Sequence, residues 1–162
     1  MSRYRILMVA AAALAMLAIV VSLDSKEAKA DDTDIAEAWT AAWNSHDPDA
    51  VVAVFTHDAV YEDVPFGVVS HGSAEIRAFA QFFFTVVPDL KVELVNSELK
   101  GGHGTIEWVF SGTDVGIYKT GKKFSVRGAT VIDVHGTKIS RNLDYYDLAT
   151  ILRELGLLPP GL

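Results

Sequence analysis

Residues 138–148 read KISRNLDYYDL. The run from Lys138 to Tyr146 has the character of a β-strand, yet Asp144 stands inside it and Asp147 just after, and strands generally exclude aspartate. Either the strand lies on the surface, or a carboxylate is kept there for a reason. Alternation sorts Ser140, Asn142, Asp144 and Tyr146 onto one face and Ile139, Arg141, Leu143 and Tyr145 onto the other. Asp147 precedes LATILREL, where a carboxylate serves as the N-cap of a short final helix over 147–155. Asp147 is therefore read as structural and Asp144 as the candidate for chemistry.

Working back from this strand, the chain from Leu90 carries hairpin signals: LKVELVNSELK, the turn GGHG, TIEWVFSGT, a loop through KTGKK, FSVRGATVIDV and the tight turn HGT. In TIEWVFS the two faces are Thr105, Glu107, Val109 and Ile106, Trp108, Phe110, and periodicity leaves open which of them points inward. Before Leu90 the pattern is helical. Ile35, Ala38, Trp39, Ala42 and Trp43 recur at helical spacing over Asp32 to Asn44. Asp47 caps and Pro48 opens a short second helix. AVYED reads as a brief strand running into the turn VPFG. Ser73 is expected to cap a third helix with Ile76, Phe79, Ala80, Phe83 and Val87 on one face, ended by Pro88. Helices first and a meander of strands afterwards predict an α+β domain, with helices on one face of a curved sheet.

The N-terminus has a different character. Basic MSRYR, an apolar run ILMVAAAALAMLAIVV and the small-residue site AKA read as a secretory signal over 1–30, cut after Ala30. The alternative is an uncleaved anchor, since the apolar run approaches the roughly 18 residues of a spanning helix. Cleavage predicts a periplasmic or secreted protein with no membrane contact once the signal is gone. The chain has no cysteine, so an oxidising compartment is tolerated without disulfides. The first 30 residues hold four of the 14 basic and two of the 21 acidic residues, so the remainder has ten against nineteen, about −9. No basic cluster with interleaved aromatics is present, which argues against nucleic acid and anionic membrane surfaces as partners. Residues 31–162 suit one domain with its own core.

The five histidines, His46, His57, His71, His103 and His135, fall at turns or element ends without metal-ligand spacing. No metal or cofactor is expected, and only His71 is kept as a pocket-rim candidate.

Three phrases carry a resemblance: AWNSHDPDAVVAVFTHDAVYEDVPFG, HGSAEIRAF and TKISRNLDYYDLATILRELGLLP. The chain resembles the nuclear-transport-factor-2-like superfamily, within it the SnoaL-like, ketosteroid-isomerase-like and limonene-epoxide-hydrolase-like proteins. The resemblance implies a cone-shaped sheet whose concave side, closed by the helices, forms a pocket. It also implies that Asp144 points into that pocket. Tyr61 and Asp63 in VYEDVP match a Y-x-N-x-P phrase that holds water in the epoxide hydrolases, and Asp63 falls where the isomerases keep a proton-shuttling aspartate. Glu107 falls at a pocket carboxylate of the epoxide hydrolases. The catalytic set implied is Asp144, Asp63, Glu107 and Tyr61. The expected substrate wall is Trp39, Phe79, Phe83, Val109, Val126, Asn142 and Tyr146.

The departures bear on function. The epoxide hydrolases need an arginine where this chain has Thr105. The isomerases need a tyrosine where it has Trp39, and a protonated aspartate near Ala129 or Thr130. Two readings follow: a SnoaL-like small-molecule enzyme using pocket acids on an apolar or carbonyl-bearing substrate, or an exported binder of an apolar ligand. The enzyme is preferred because three carboxylates are costly to bury in a mere binding pocket. If Glu107 faces inward, Ile106, Trp108, Phe110, Leu143 and Tyr145 form an outer apolar patch, which predicts a homodimer.

Overall fold

The computed structural model describes residues 32–159; the expected signal and cleavage site lie outside them. The elements are α1 (Asp32–Asn44), α2 (Pro48–Ala53), β1 (Phe55–Asp63), β2 (Val68–His71), α3 (Gly72–Val86), β3 (Lys91–Lys100), β4 (His103–Thr113), β5 (Lys123–His135), β6 (Lys138–Tyr146) and α4 (Leu148–Glu154). They form an α+β fold with one six-stranded sheet, ordered β2-β1-β6-β5-β4-β3. Among the described residues no helix is long and apolar enough to cross a membrane.

Local chemistry explains most element ends. Asp47 caps α2 by accepting from Asp49 N–H at 2.9 Å, with Pro48 at the first helical position. Asp147 caps α4 in the same way, accepting from Ala149 N–H at 2.9 Å. α3 starts differently from the sequence expectation. Its N-cap is His71, not Ser73, and the His71 N–H donates to Glu75 Oε2 at 2.7 Å, a carboxylate placed where the helix dipole favours negative charge. Gly72 enters the helix at φ +69°, a left-handed geometry that costs glycine little. Ser73, one residue inside, donates to His57 O instead. β2 also escaped the sequence reading, because four residues after a turn carry too little pattern to register.

The sheet register sets the site. β1 and β6 run parallel, with Tyr61 opposite Asn142 and Asp63 opposite Asp144. The remaining pairs are antiparallel: Thr130 faces Asp144 and Gly128 faces Tyr146 across β5–β6. Across β4–β5, Ile106 faces Thr130, Trp108 faces Gly128 and Phe110 faces Val126. Residues directly opposite share a sheet face. An inward Asp144 therefore forces Thr130 and Ile106 inward, and with them Trp108 and Phe110.

The helices cover this inner face. Ile35, Ala36, Trp39, Ala42 and Trp43 of α1 are buried, as are Ile76, Ala80, Phe83 and Phe84 of α3. Each large apolar side chain taken out of water contributes about 1.5–3 kcal/mol. Asn44 fastens the end of α1 to β3 as a strand would, donating from Nδ2 to Val92 O and accepting from Val92 N–H, both at 2.8 Å.

The β4–β5 connection is held by one buried carboxylate. Asp114 accepts from Ile117 N–H (3.1 Å), Tyr118 N–H (3.0 Å), Thr120 N–H (2.9 Å) and Thr120 Oγ1 (2.9 Å). These bonds curl the loop so that Ile117 reaches the mouth of the pocket.

Candidate functional site

A narrow slot opens between the inner face and the helices. It is lined by Trp39, Trp43, Tyr61, Asp63, Phe79, Phe83, Leu90, Val92, Trp108, Phe110, Asp144 and Tyr146, with a volume of about 50 Å³. A wider vestibule of about 400 Å³ adjoins it, walled by Phe66, Val68, Ser70, Glu75, Phe79, Phe82, Phe83 and Ile117. Asp63 belongs to both, so its carboxylate stands where the slot meets the vestibule.

Two tyrosine–aspartate pairs follow from the parallel register of β1 and β6. Tyr61 lies opposite Asn142 and donates to Asp144, two residues further on; Tyr146 donates to Asp63, lying two beyond the aspartate's own partner Asp144. The pairs differ in how completely they are enclosed.

Asp144 is 6% exposed and takes three donors. Its Oδ1 accepts from Thr130 Oγ1 at 2.6 Å and Asn142 Nδ2 at 2.8 Å, and Oδ2 accepts from the Tyr61 hydroxyl. Two indoles stand behind these donors. Trp108 Nε1 donates to Thr130 Oγ1 at 2.8 Å and Trp39 Nε1 to Asn142 Oδ1 at 3.1 Å. Burial raises the Asp144 pKa, and the bonds from Thr130, Tyr61 and Asn142 pull it back without cancelling the rise. The same enclosure, with the Asp144 charge beside it, lifts the Tyr61 hydroxyl well above its ordinary range.

Asp63 is 3% exposed but less fully bonded. The Tyr146 hydroxyl spans its two oxygens at 3.0 and 3.1 Å, and Phe66 N–H donates to Oδ1 at 3.2 Å. Burial pushes its carboxyl up to about 6 against the pull of Phe66 N–H; the Asp144 charge adds to the rise and the Tyr146 bond opposes it. A carboxyl so placed exchanges protons near neutral pH, which is what general acid–base work requires.

Of the expected site residues, Asp144, Asp63, Tyr61, Trp39, Phe79, Phe83 and Tyr146 come together in the slot. Asn142 is fully buried behind Asp144, and Val126 is buried on the inner face beside Phe110 without lining the slot. Two expectations fail. Glu107 is exposed on the outer face and Val109 lies half-buried on that same side, because the register that turns Thr130 and Asp144 inward turns both of them outward. The apolar trio Ile106, Trp108 and Phe110 held the missing signal, since burying them outweighs any placement by resemblance. Gly128 confirms the side: a Cβ there would lie 2.3 Å from Trp108 Cη2, so the indole crosses β5 only because glycine leaves room.

The expected outer patch loses the same three residues. Leu143, itself buried, and Tyr145 remain on that side, joined by Val109, Ala129 and Val131 beside Glu107 and Arg127. His71 is exposed at the α3 N-cap and lines neither slot nor vestibule, although its neighbour Ser70 does. Sequence reasoning also missed Trp43 as a slot wall, though it sits one helical turn from Trp39. Among the described residues no group of three or more histidine, aspartate or glutamate side chains is arranged to hold a metal ion.

A helix-covered sheet with paired acids in an aromatic slot defines the class of small-molecule pocket proteins built on the ketosteroid-isomerase-like fold. The chain belongs to the SnoaL-like polyketide cyclase family, which matches residues 33–155. Solved structures agree. A ketosteroid-isomerase-like protein of Catenulispora acidiphila, in complex with trimethylamine, is 29% identical with TM-score 0.73, over 79% of this chain and 96% of that one. TsrD of Streptomyces laurentii is 25% identical with TM-score 0.69, over 78% and 95%. An epoxide hydrolase of the limonene type from M. tuberculosis, 20% identical with TM-score 0.63 over 75% and 86%, shares the fold. No curated protein matches the sequence.

Proposed function

We propose that the protein is an exported small-molecule enzyme of the cyclase or isomerase kind, in which Asp63 transfers a proton on an apolar or carbonyl-bearing substrate. The observation that carries this reading is the Asp63 carboxyl, pushed up to about 6 at the junction of slot and vestibule. In the proposed step Asp63 takes a proton from a carbon beside the substrate carbonyl and becomes neutral. The Tyr146 hydroxyl, no longer held by a charged acceptor, turns to donate to the oxygen on which charge develops. Asp144, tied down by its three donors, takes no part in the transfer. Epoxide opening of the bridged-carboxylate type finds no support, since Glu107 faces outward.

The test is hydrogen–deuterium exchange at the α-carbons of a panel of cyclic ketones in D2O, followed by NMR. The wild type should exchange, with a rate rising as pH passes through about 6, and Asp63→Asn should abolish it. Wild type that binds a ketone without exchange would sink the catalytic reading in favour of an exported binder. That second reading is favoured by one observation: the Trp39, Trp108 and Asn142 N–H groups at the site are already engaged by protein acceptors. The trimethylamine complex of the 29%-identical neighbour supports a small-molecule pocket under either reading.

Export is proposed from the N-terminal sequence, and an exported chain whose intact mass starts at Asp31 is the expected result. A homodimer is proposed through the outer sheet face, where Tyr145 is 47% and Val95 53% exposed. Light scattering showing only monomer at tens of micromolar, on the order of ordinary dimer affinities, would remove it.

A further inference from the structure

The slot has an unusual inventory of polar groups. Trp39 Nε1, Trp108 Nε1 and Asn142 Nδ2 are spent on Asn142, Thr130 and Asp144, and the Tyr61 and Tyr146 hydroxyls are spent on the two aspartates. Trp43 Nε1 has no acceptor, but it is sealed from the open space. What faces the slot is therefore acceptor oxygen, two of the groups being carboxylates. Among the described residues no lysine, arginine or histidine lines either the slot or the vestibule, and the one further charged group there is Glu75. A ligand anion would meet repulsion, whereas a cation would meet the Asp63 carboxylate.

The rest of the wall is aromatic. Trp39 and Trp108 stack at 6.4 Å, Trp43 stands edge-on to Trp39 at 6.3 Å, Tyr61 lies 6.0 Å from Trp43, and Tyr146 lies 6.1 Å from Trp108. Ring faces attract a cation within about 6 Å, most strongly where water is excluded. Size places the ligand. A cavity of about 150 Å³ holds benzene, so the slot's 50 Å³ admits a methyl group or two and the bulk of a head stays at its mouth, where Asp63, Phe79 and Phe83 line slot and vestibule alike. The adjoining vestibule, walled by Phe66, Val68, Phe82 and Ile117, is large and apolar enough for the remainder of a ligand.

We infer that the mouth of the slot takes the methylated ammonium head of a small cationic ligand, with the ligand's apolar body in the vestibule. This rests on the reading that slot and vestibule form the ligand site, and is independent of whether turnover follows. The head would sit against Phe79 and Phe83 with Asp63 as its counter-charge, its methyl groups directed down the slot toward Trp39, Trp43 and Trp108. A methylated ammonium suits the aromatic part of this wall better than a primary one, because methyl groups bury well against rings. The groups facing the head are Asp63 and Tyr61 from β1, Asp144 and Tyr146 from β6, and Glu75 of α3 at the vestibule. Both tyrosines stay neutral, so the pH dependence is that of the carboxylates.

The chain supplies its own reporter, since its three tryptophans all line the slot. The experiment titrates the purified protein with tetramethylammonium, with choline and with 3,3-dimethylbutan-1-ol, the neutral isostere of choline, following tryptophan fluorescence. Choline should bind more tightly than its isostere by about tenfold or more. Its affinity should rise between pH 5 and pH 7 while that of the isostere stays flat. Asp63→Asn should bring the two affinities together and remove the pH dependence. Equal wild-type affinities for choline and isostere would overturn the cation inference and leave the ligand site standing. No response to any of the three would overturn both.

Discussion

Asp114 and Asp63 are almost equally hidden, at 1% and 3% exposed, yet their acidities move in opposite directions. Burial pushes both up. At Asp114 the loop turns three backbone N–H groups and the Thr120 hydroxyl onto the carboxylate, and these outweigh the thin cover so that its pKa falls. At Asp63 one backbone N–H and one shared hydroxyl do not suffice, and the value settles at about 6. Low exposure alone thus fails to distinguish a structural acid from a chemical one; the depth of protein around it and the donors aimed at it decide together, since deeply set Asp144 stays raised under three donors. Asp147 completes the series as an exposed acid whose pKa is lowered by the Thr150 hydroxyl and the N–H groups it caps.

The largest expected effect is at Asp114. Asp114→Ala removes the acceptor for four donors and should cost about 3–4 kcal/mol in urea unfolding at pH 7. A loss below about 1 kcal/mol would show that water replaces the carboxylate freely and would break the contrast.

Asp63→Asn should act in the opposite sense. A carboxyl whose folded pKa is raised contributes stability that is fully present below about 4 and is lost as pH rises through about 6. At pH 7 the ionised form is therefore a burden, and Asp63→Asn should stabilise by about 2 kcal/mol there, with no gain at pH 4. Thermal unfolding at the two pH values checks it, and equal effects at both would show that Asp63 titrates normally. The smallest effect is at Asp147, where Asp147→Ala should lower the melting temperature slightly while leaving the ammonium titration unchanged; an altered titration would mean that the cap also shapes the slot.

How much of this was legible in the sequence depended on the range of the signal. The caps Asp47 and Asp147, each followed at once by a helical pattern, were readable because the donor they serve lies two residues away. Asp144 was legible as an anomaly in a strand. Which face of β4 points inward was not fixed by alternation, and a placement by resemblance put Glu107 in the slot although Ile106, Trp108 and Phe110 argued otherwise. The network behind Asp144 was invisible, since Trp39 and Asn142 are 103 residues apart and meet only once the sheet is closed. Asp114 went unnoticed too, though an aspartate followed by Thr120 and Gly121 at a hairpin end is a loop-folding signal.

The parallel pairing of β1 with β6 has a consequence for how the chain reaches this state. β3, β4 and β5 zip together from neighbouring segments, but Tyr61 must wait for Asp144, 83 residues later. Contacts of such long sequence separation are slow to form, because closing the intervening loop costs entropy before any contact repays it. During synthesis β1 therefore remains an open edge with only four-residue β2 beside it until the final strand emerges, and the slot comes into existence as the last act of folding.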